Sequence, residues 1–248
     1  MKKKTLISFS ALAAVLFGLS ANAGAMHIME GYLPAGYCIA WGALCLPFII
    51  AGSFSIRRTV SANRRSITLL AMAGAFVFVL SSLKIPSVTG SCSHMTGTGL
   101  GAILFGPCTA AILGLIVLIF QAVLLAHGGL TTLGANTFSM AIAGPFAAYG
   151  LYKLLTKLRV NRLVSVFAAS FIGDLFTYCV TAFQLALAYP SETGGVGASV
   201  LKFLGVFAPT QLPLAVLEGI LTVFIVMALE NYAEKELSGL RAFNTEGR

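Results

Sequence analysis

From Leu33 onward the chain consists of apolar runs separated by short polar links. The first run covers Leu33 to Phe54 and the second Ile67 to Leu83; a long polar segment, Lys84 to Thr98, follows. Further runs cover Cys108 to Ala126, Leu133 to Leu155, Leu163 to Tyr189 and roughly Val206 to Leu229. Each is near the roughly 20 residues that a helix needs to cross a bilayer. Between Thr98 and Cys108 only Gly99 to Gly106 is available, which is too short for a full span and predicts a short or re-entrant helix. Such an element is tolerated only where protein or a cavity surrounds it.

The charges orient these runs. Arg57, Arg58, Arg64 and Arg65 follow the first run, and Lys153, Lys157, Arg159 and Arg162 surround the end of the Leu133–Leu155 run. Basic clusters beside span ends mark cytoplasmic loops. Lys84–Thr98, the His127-Gly128-Gly129 link and Pro190–Gly197 then fall outside. The pattern closes only if the short Gly99–Gly106 element crosses as well. The expected architecture is an all-α, polytopic transmembrane bundle of about seven crossings, with the amino terminus outside and the carboxyl terminus in the cytoplasm.

Ahead of this bundle, Lys2, Lys3 and Lys4, an apolar stretch from Thr5 to Ser20 and the small-residue box Ala23-Gly24-Ala25 read as a secretory signal peptide over residues 1–25. Residues 26–248 form one expected domain, and Met26 becomes the mature amino terminus. A cut after Ala23, or retention of the leader as a first membrane helix, are the alternatives.

Composition supports the membrane reading. Of the 248 residues 58% are hydrophobic and only 10% charged, against about a quarter charged in soluble domains. The mean hydropathy of +0.92 excludes a water-soluble domain and intrinsic disorder alike. The net charge of +8 is explained by loop clusters rather than by nucleic-acid binding. Five cysteines (Cys38, Cys45, Cys92, Cys108, Cys179) show no zinc-type spacing and read as small apolar residues.

The candidate chemistry lies in the three histidines, His27, His94 and His127. Each alone is an ordinary loop histidine, but the topology puts all three on the external side. Imidazole suits Ni, Cu, Zn and Co-like ions. If cleavage frees the Met26 amine, that nitrogen, the His27 backbone nitrogen and His27 Nδ1 can close two fused chelate rings on one ion. One in-plane position remains, for which His94 is the natural candidate. The Gly- and hydroxyl-rich stretch Gly90 to Gly99 suits unusual backbone angles there. Cys92, two residues away, reads as a small residue, with a soft ligand as the alternative.

Asp174 and Glu218 lie inside apolar runs, where acids are functional by default. A proton relay, a cation path and a packing or partner-docking pair all remain open for them. Gln121 and Gln184 are candidates for hydrogen bonds between helices. Walker A, HExxH and GxSxG sequences are absent. The chain is therefore expected not to be an enzyme, and energised transport would need a partner. An intramembrane enzyme using Asp174 and Glu218 is the remote alternative.

Met26-His27-Ile28-Met29-Glu30-Gly31-Tyr32-Leu33-Pro34, the Gly90–Gly106 segment and Gln121 to Asn136 together resemble the CbiM family. That family comprises the substrate-capture components of cobalt energy-coupling-factor transporters. The resemblance covers essentially the whole mature chain, and the NikM family, which handles nickel, is closely similar. It implies a helical membrane protein whose amino-terminal segment dips into the bundle, with metal ligands Met26, His27 and His94. It further implies a small CbiN membrane protein, a CbiQ coupling protein and a CbiO ATPase as partners, with imported Co(II) feeding cobalamin synthesis. No prosthetic group is implied, and Ni(II) is the alternative cargo. Met95 departs from the family pattern, which has proline there.

Overall fold

The computed structural model describes residues 27–86 and 92–237. The leader expected at residues 1–25, Met26 and the Cys92 side chain lie outside the described residues. Helices α1 (Ala35–Ala62) and α2 (Ser66–Ser82) are joined by a turn in which Asn63 Oδ1 accepts the Arg65 N–H at 3.0 Å. After α2 come strands β1 (Ile85–Pro86) and β2 (Cys92–Ser93), then α3 (Thr98–Phe105) and α4 (Pro107–Leu124). Helix α5 (Leu133–Asn136) runs through a π-helical stretch, Thr137–Ala143, into α6 (Gly144–Lys157). Helices α7 (Arg162–Ala188), α8 (Gly195–Tyr232) and the short α9 (Glu234–Leu237) complete the described order.

Among the described residues the regular structure is helical apart from the two-residue antiparallel ladder that pairs Ile85 with Ser93 and Pro86 with Cys92. Four helices, α1, α4, α7 and α8, are long and apolar enough to cross a membrane, and α2 is a shorter apolar helix. Helix α1 turns Ile39, Leu44, Leu46, Ile50 and Phe54 outward, the side chains a lipid-facing surface requires. Helix α3 is the reverse: Thr98 through Leu104 are all buried. Leu100, Ile103 and Leu104 share a core with Tyr152, Val166 and Val226. The short element is thus enclosed by protein, as its length demands. It ends at Gly106, whose φ of 88° only glycine adopts freely, and Pro107 opens α4.

Two boundaries differ from expectation: α1 continues past Phe54 and through Arg57 and Arg58 to Ala62, and the last long helix starts early. The last helix begins at Gly195 rather than near Val206. The Ser191–Gly195 bridge makes a tight turn, and the Ser199 hydroxyl donates to Tyr189 O at 2.8 Å, so the chain reverses at once after α7. Pro209 and Pro213 lie inside α8 without ending it. In the same stretch the Tyr178 hydroxyl donates to Leu204 O and Thr210 Oγ1 to Phe207 O.

Candidate metal centre

Two non-helical segments bring histidines together inside the bundle. The first, residues 27–34, is held through its main chain, chiefly by Asn136 on α5. Asn136 Oδ1 accepts the Ile28 N–H at 2.8 Å, and Asn136 Nδ2 donates to Ile28 O at 2.9 Å. An amide side chain thereby replaces a neighbouring strand. Thr132 Oγ1 donates to the same carbonyl at 2.6 Å. Ile28 and Leu33 are buried with Ala135 and Leu185, while the Glu30 carboxylate accepts the Thr131 N–H at 3.2 Å. Hydrogen bonds from Thr131 hold the Glu30 carboxyl below its ordinary value.

The second segment links β2 to α3 and carries His94, which is fully buried. Its Nδ1 lies 2.8 Å from Met95 O. A carbonyl can only accept, so Nδ1 carries the proton and Nε2 presents a lone pair. That Nε2 stands 2.6 Å from His27 Nδ1, and the two rings are stacked with centroids 4.5 Å apart. Met95, the departure from the family pattern, is buried against Leu80 and Leu214 and supplies the carbonyl that fixes the tautomer.

His127 completes the cluster. Its ring lies 4.4 Å from that of His27 and 5.0 Å from that of His94, both edge-on. The chain is bent sharply on either side of it, with Ala126 at φ 46° and Gly128 at φ 76°. Positive φ at a non-glycine residue is unfavourable by about 1–3 kcal/mol and persists only where the surroundings enforce it. Here the His127 N–H donates to Gln121 O at 3.1 Å. A side chain at Gly128 would meet Asn136 Nδ2 at 3.1 Å and His27 Cβ at 3.6 Å.

Ligand nitrogens from the three histidines all lie within 4.8 Å of one another. His27 Nε2 and both His127 nitrogens are buried without a hydrogen-bond partner. Buried polar atoms are rarely left unpaired, and three in one place mark a site that receives something. Burial, reinforced by the neighbouring histidines and by Lys84, holds the proton affinity of His27 far below normal. Burial likewise lowers His94 to about 4 and His127 to about 2. All three are neutral at pH 7, the form that binds metals.

The chain matches the family model described as "Cobalt uptake substrate-specific transmembrane region", CbiM, over residues 27–236. A cobalt transport protein CbiM from Lachnoclostridium phytofermentans is 70% identical over 243 residues, 98% of this chain and 97% of the relative. One from a Nostoc species is 54% identical over 248 residues, 100% of this chain and 95% of the relative. The chain belongs to the CbiM family. A crystal structure of a truncated transition metal transporter superposes with a TM-score of 0.73 at 27% identity, covering 83% of this chain and 99% of the other. The chain is thus a multi-pass membrane component of a cobalt-uptake family, and not an enzyme. This sets aside the intramembrane enzyme built on Asp174 and Glu218.

Those two acids are buried on α7 and α8, which excludes partner docking through their side chains and leaves them as an internal pair. Gln121 and Gln184 do bridge helices: Gln121 Nε2 donates to Ser81 Oγ at 2.7 Å and Gln184 Nε2 to Ala135 O at 3.1 Å. Three contributors escaped sequence reasoning. Asn136 and Thr132 were hidden inside a motif whose glycines and histidine drew attention. Gln211 is a buried amide inside an apolar helix, and the signal that marked Gln121 and Gln184 would have found it.

Proposed function

We propose that the protein captures divalent cobalt from the external side and delivers it inward as the substrate-binding component of an ATP-driven energy-coupling-factor importer. In this reading residues 1–25 are removed as a signal peptide and residues 26–248 form one domain of seven crossings. The mature terminus lies outside and the carboxyl terminus in the cytoplasm. The ion is held by the Met26 amine, the His27 main-chain nitrogen, His27 Nδ1 and His94 Nε2. Partners are a CbiN-like small membrane protein, a CbiQ-like coupling protein and a CbiO-like ATPase, and the cobalt serves cobalamin synthesis.

The observation that carries this reading is the pairing of His27 Nδ1 with His94 Nε2 at 2.6 Å. Two nitrogens at right angles on one ion, each at about 2.0–2.1 Å, stand about 2.9 Å apart. The two atoms that chelation requires therefore already face each other at nearly that separation. The ion replaces the proton between them and leaves the His94 tautomer unchanged. An all-nitrogen, tetragonal set favours late first-row ions over Mg or Ca.

Acetylating the mature terminus tests the chelate. Cobalt titration should show strongly reduced affinity, and undiminished affinity would remove the amine from the site. Competition between Co(II) and Ni(II) in the same titration decides the cargo, and a clear preference for nickel would overturn the cobalt assignment.

A further inference from the structure

The segment that carries His94 is fastened from behind by groups that no metal chemistry requires. Residues 94–97 lie between β2 and α3 and have no helical or ladder partners, yet they are buried. Their main-chain groups must be satisfied by side chains. Gln211 Nε2 donates to His94 O at 3.2 Å. Glu218 Oε2 accepts the Thr96 N–H at 2.6 Å, and the Thr96 hydroxyl donates to the same carboxylate at 3.0 and 3.1 Å. The Gln211 amide spends its other proton on Asp174 Oδ2 at 2.5 Å. Asp174 and Glu218 lie close enough for their charges to interact. One connected group from α7 and α8 thus grips the carbonyl of His94 and the amide of Thr96.

The charge state follows from the same contacts. Among the described residues no salt bridge reaches either acid, the one present being Arg162–Glu230. Two carboxylates in contact inside a bundle cannot both ionise. Every partner recorded for Glu218 from the 94–96 segment is a donor, which suits a carboxylate. Asp174 Oδ1 has no donor and is the free position for a shared proton.

We propose that Gln211, Glu218 and Asp174 are positioning residues: they hold the 94–96 main chain so that His94 Nε2 meets the ion, with Asp174 protonated and donating to an ionised Glu218. This rests on the metal reading above, but assigns work to residues outside the ligand set. It also predicts an asymmetry. In Asp174→Asn the side-chain NH2 takes the place of the protonated Oδ1, and the amide oxygen, at the position of Oδ2, still accepts from Gln211. In Glu218→Gln an NH2 group is set against the Thr96 donors.

The experiment measures Co(II) affinity of the full mature chain in detergent for Gln211→Leu, Glu218→Gln, Asp174→Asn and Asp174→Leu. Thermal unfolding of the metal-free proteins and the Co(II) absorption spectrum at saturation are recorded alongside. Losing a group that orients a metal ligand typically weakens binding about 10–100-fold, and that loss is expected for Gln211→Leu, Glu218→Gln and Asp174→Leu. The absorption bands should stay in place, because the ligands are unchanged. Asp174→Asn should bind within about threefold of the parent, well below that range. Parental affinity in Gln211→Leu and Glu218→Gln would overturn the positioning role. Equal losses in Asp174→Asn and Glu218→Gln would overturn the proton assignment. If Glu218→Gln does not fold, Gln211→Met, which removes only the amide, carries the test. A His27→Ala control that still binds cobalt with parental affinity would instead show that the metal reading itself has failed.

Discussion

The His27 and His94 segments solve one problem in two ways. Each is a stretch of non-helical chain inside a helical bundle, and each must be fixed through its main chain so that an imidazole points inward. For the first, Asn136 serves both the N–H and the C=O of Ile28 from one neutral side chain. For the second, the carbonyl and the amide lie on different residues, and an amide and a carboxylate divide the task. A neutral clamp is self-contained. A clamp that includes a carboxylate brings a charge into the bundle, and a second acid sharing a proton moderates it.

The largest effects should come from the ligands. Removing the imidazole in His27→Ala or His94→Ala takes one nitrogen from a four-donor set. A four-ligand site is worth about 10–16 kcal/mol, so one donor is worth about 3 kcal/mol and its loss weakens Co(II) binding by about 100-fold or more. Isothermal titration would measure this. Next comes the neutral clamp: Asn136→Leu should weaken binding about 10–100-fold with the ligands still present. An Asn136→Leu variant with parental affinity would break the parallel between the two segments. His127→Ala should weaken binding less than either ligand change, since this ring only borders the proposed set. A loss equal to that of His94→Ala would promote His127 to a ligand.

The pH dependence is smaller. The folded-state affinity of the histidines for protons is depressed, to about 4 for His94, against about 6.5 in an unfolded chain. The unfolded chain therefore binds more protons in this window. Stability of the metal-free protein, present in full above about pH 6.5, should fall as the pH drops towards 4. Thermal unfolding followed across that range, compared with the His94→Gln variant, should show a shallower slope in the variant. The smallest effect is expected at Ala126. Glycine there would relieve a positive φ at about 1 kcal/mol, offset in part by the entropy of the added glycine.

The apolar runs were legible because each buries its length in lipid or in neighbouring helices, and composition alone records that. The Cys108–Ala126 and Leu163–Tyr189 runs match α4 and α7 almost to the residue, and Gly106-Pro107 marks its turn in the sequence. The start of α8 was not legible: Gly195–Gly205 mixes small, apolar and basic residues, and only its packing against the end of α7 makes it helical. At the site, His27 and His94 could be paired because chelate geometry constrains how many atoms one ion takes and from where. His127 could be placed on the same side as the other histidines, but not beside them, since its position depends on a backbone bend at Ala126 that a propensity argument would reject. Asn136 and Gln211 act on main-chain groups distant in sequence, and no local pattern encodes that.

The distance along the chain between these partners has a further consequence for biosynthesis. His27 meets a ring 67 positions later, and the clamp on Ile28 comes 108 positions later. A ribosome that has delivered the first helices has not yet made the residue that fastens the amino-terminal segment. That segment must wait, unfastened, while α1 to α4 are synthesised, and it is seated only when α5 arrives. On the proposed ligand set, metal-binding competence therefore comes late, after α5 has fastened Ile28 and α8 has fastened the His94 segment.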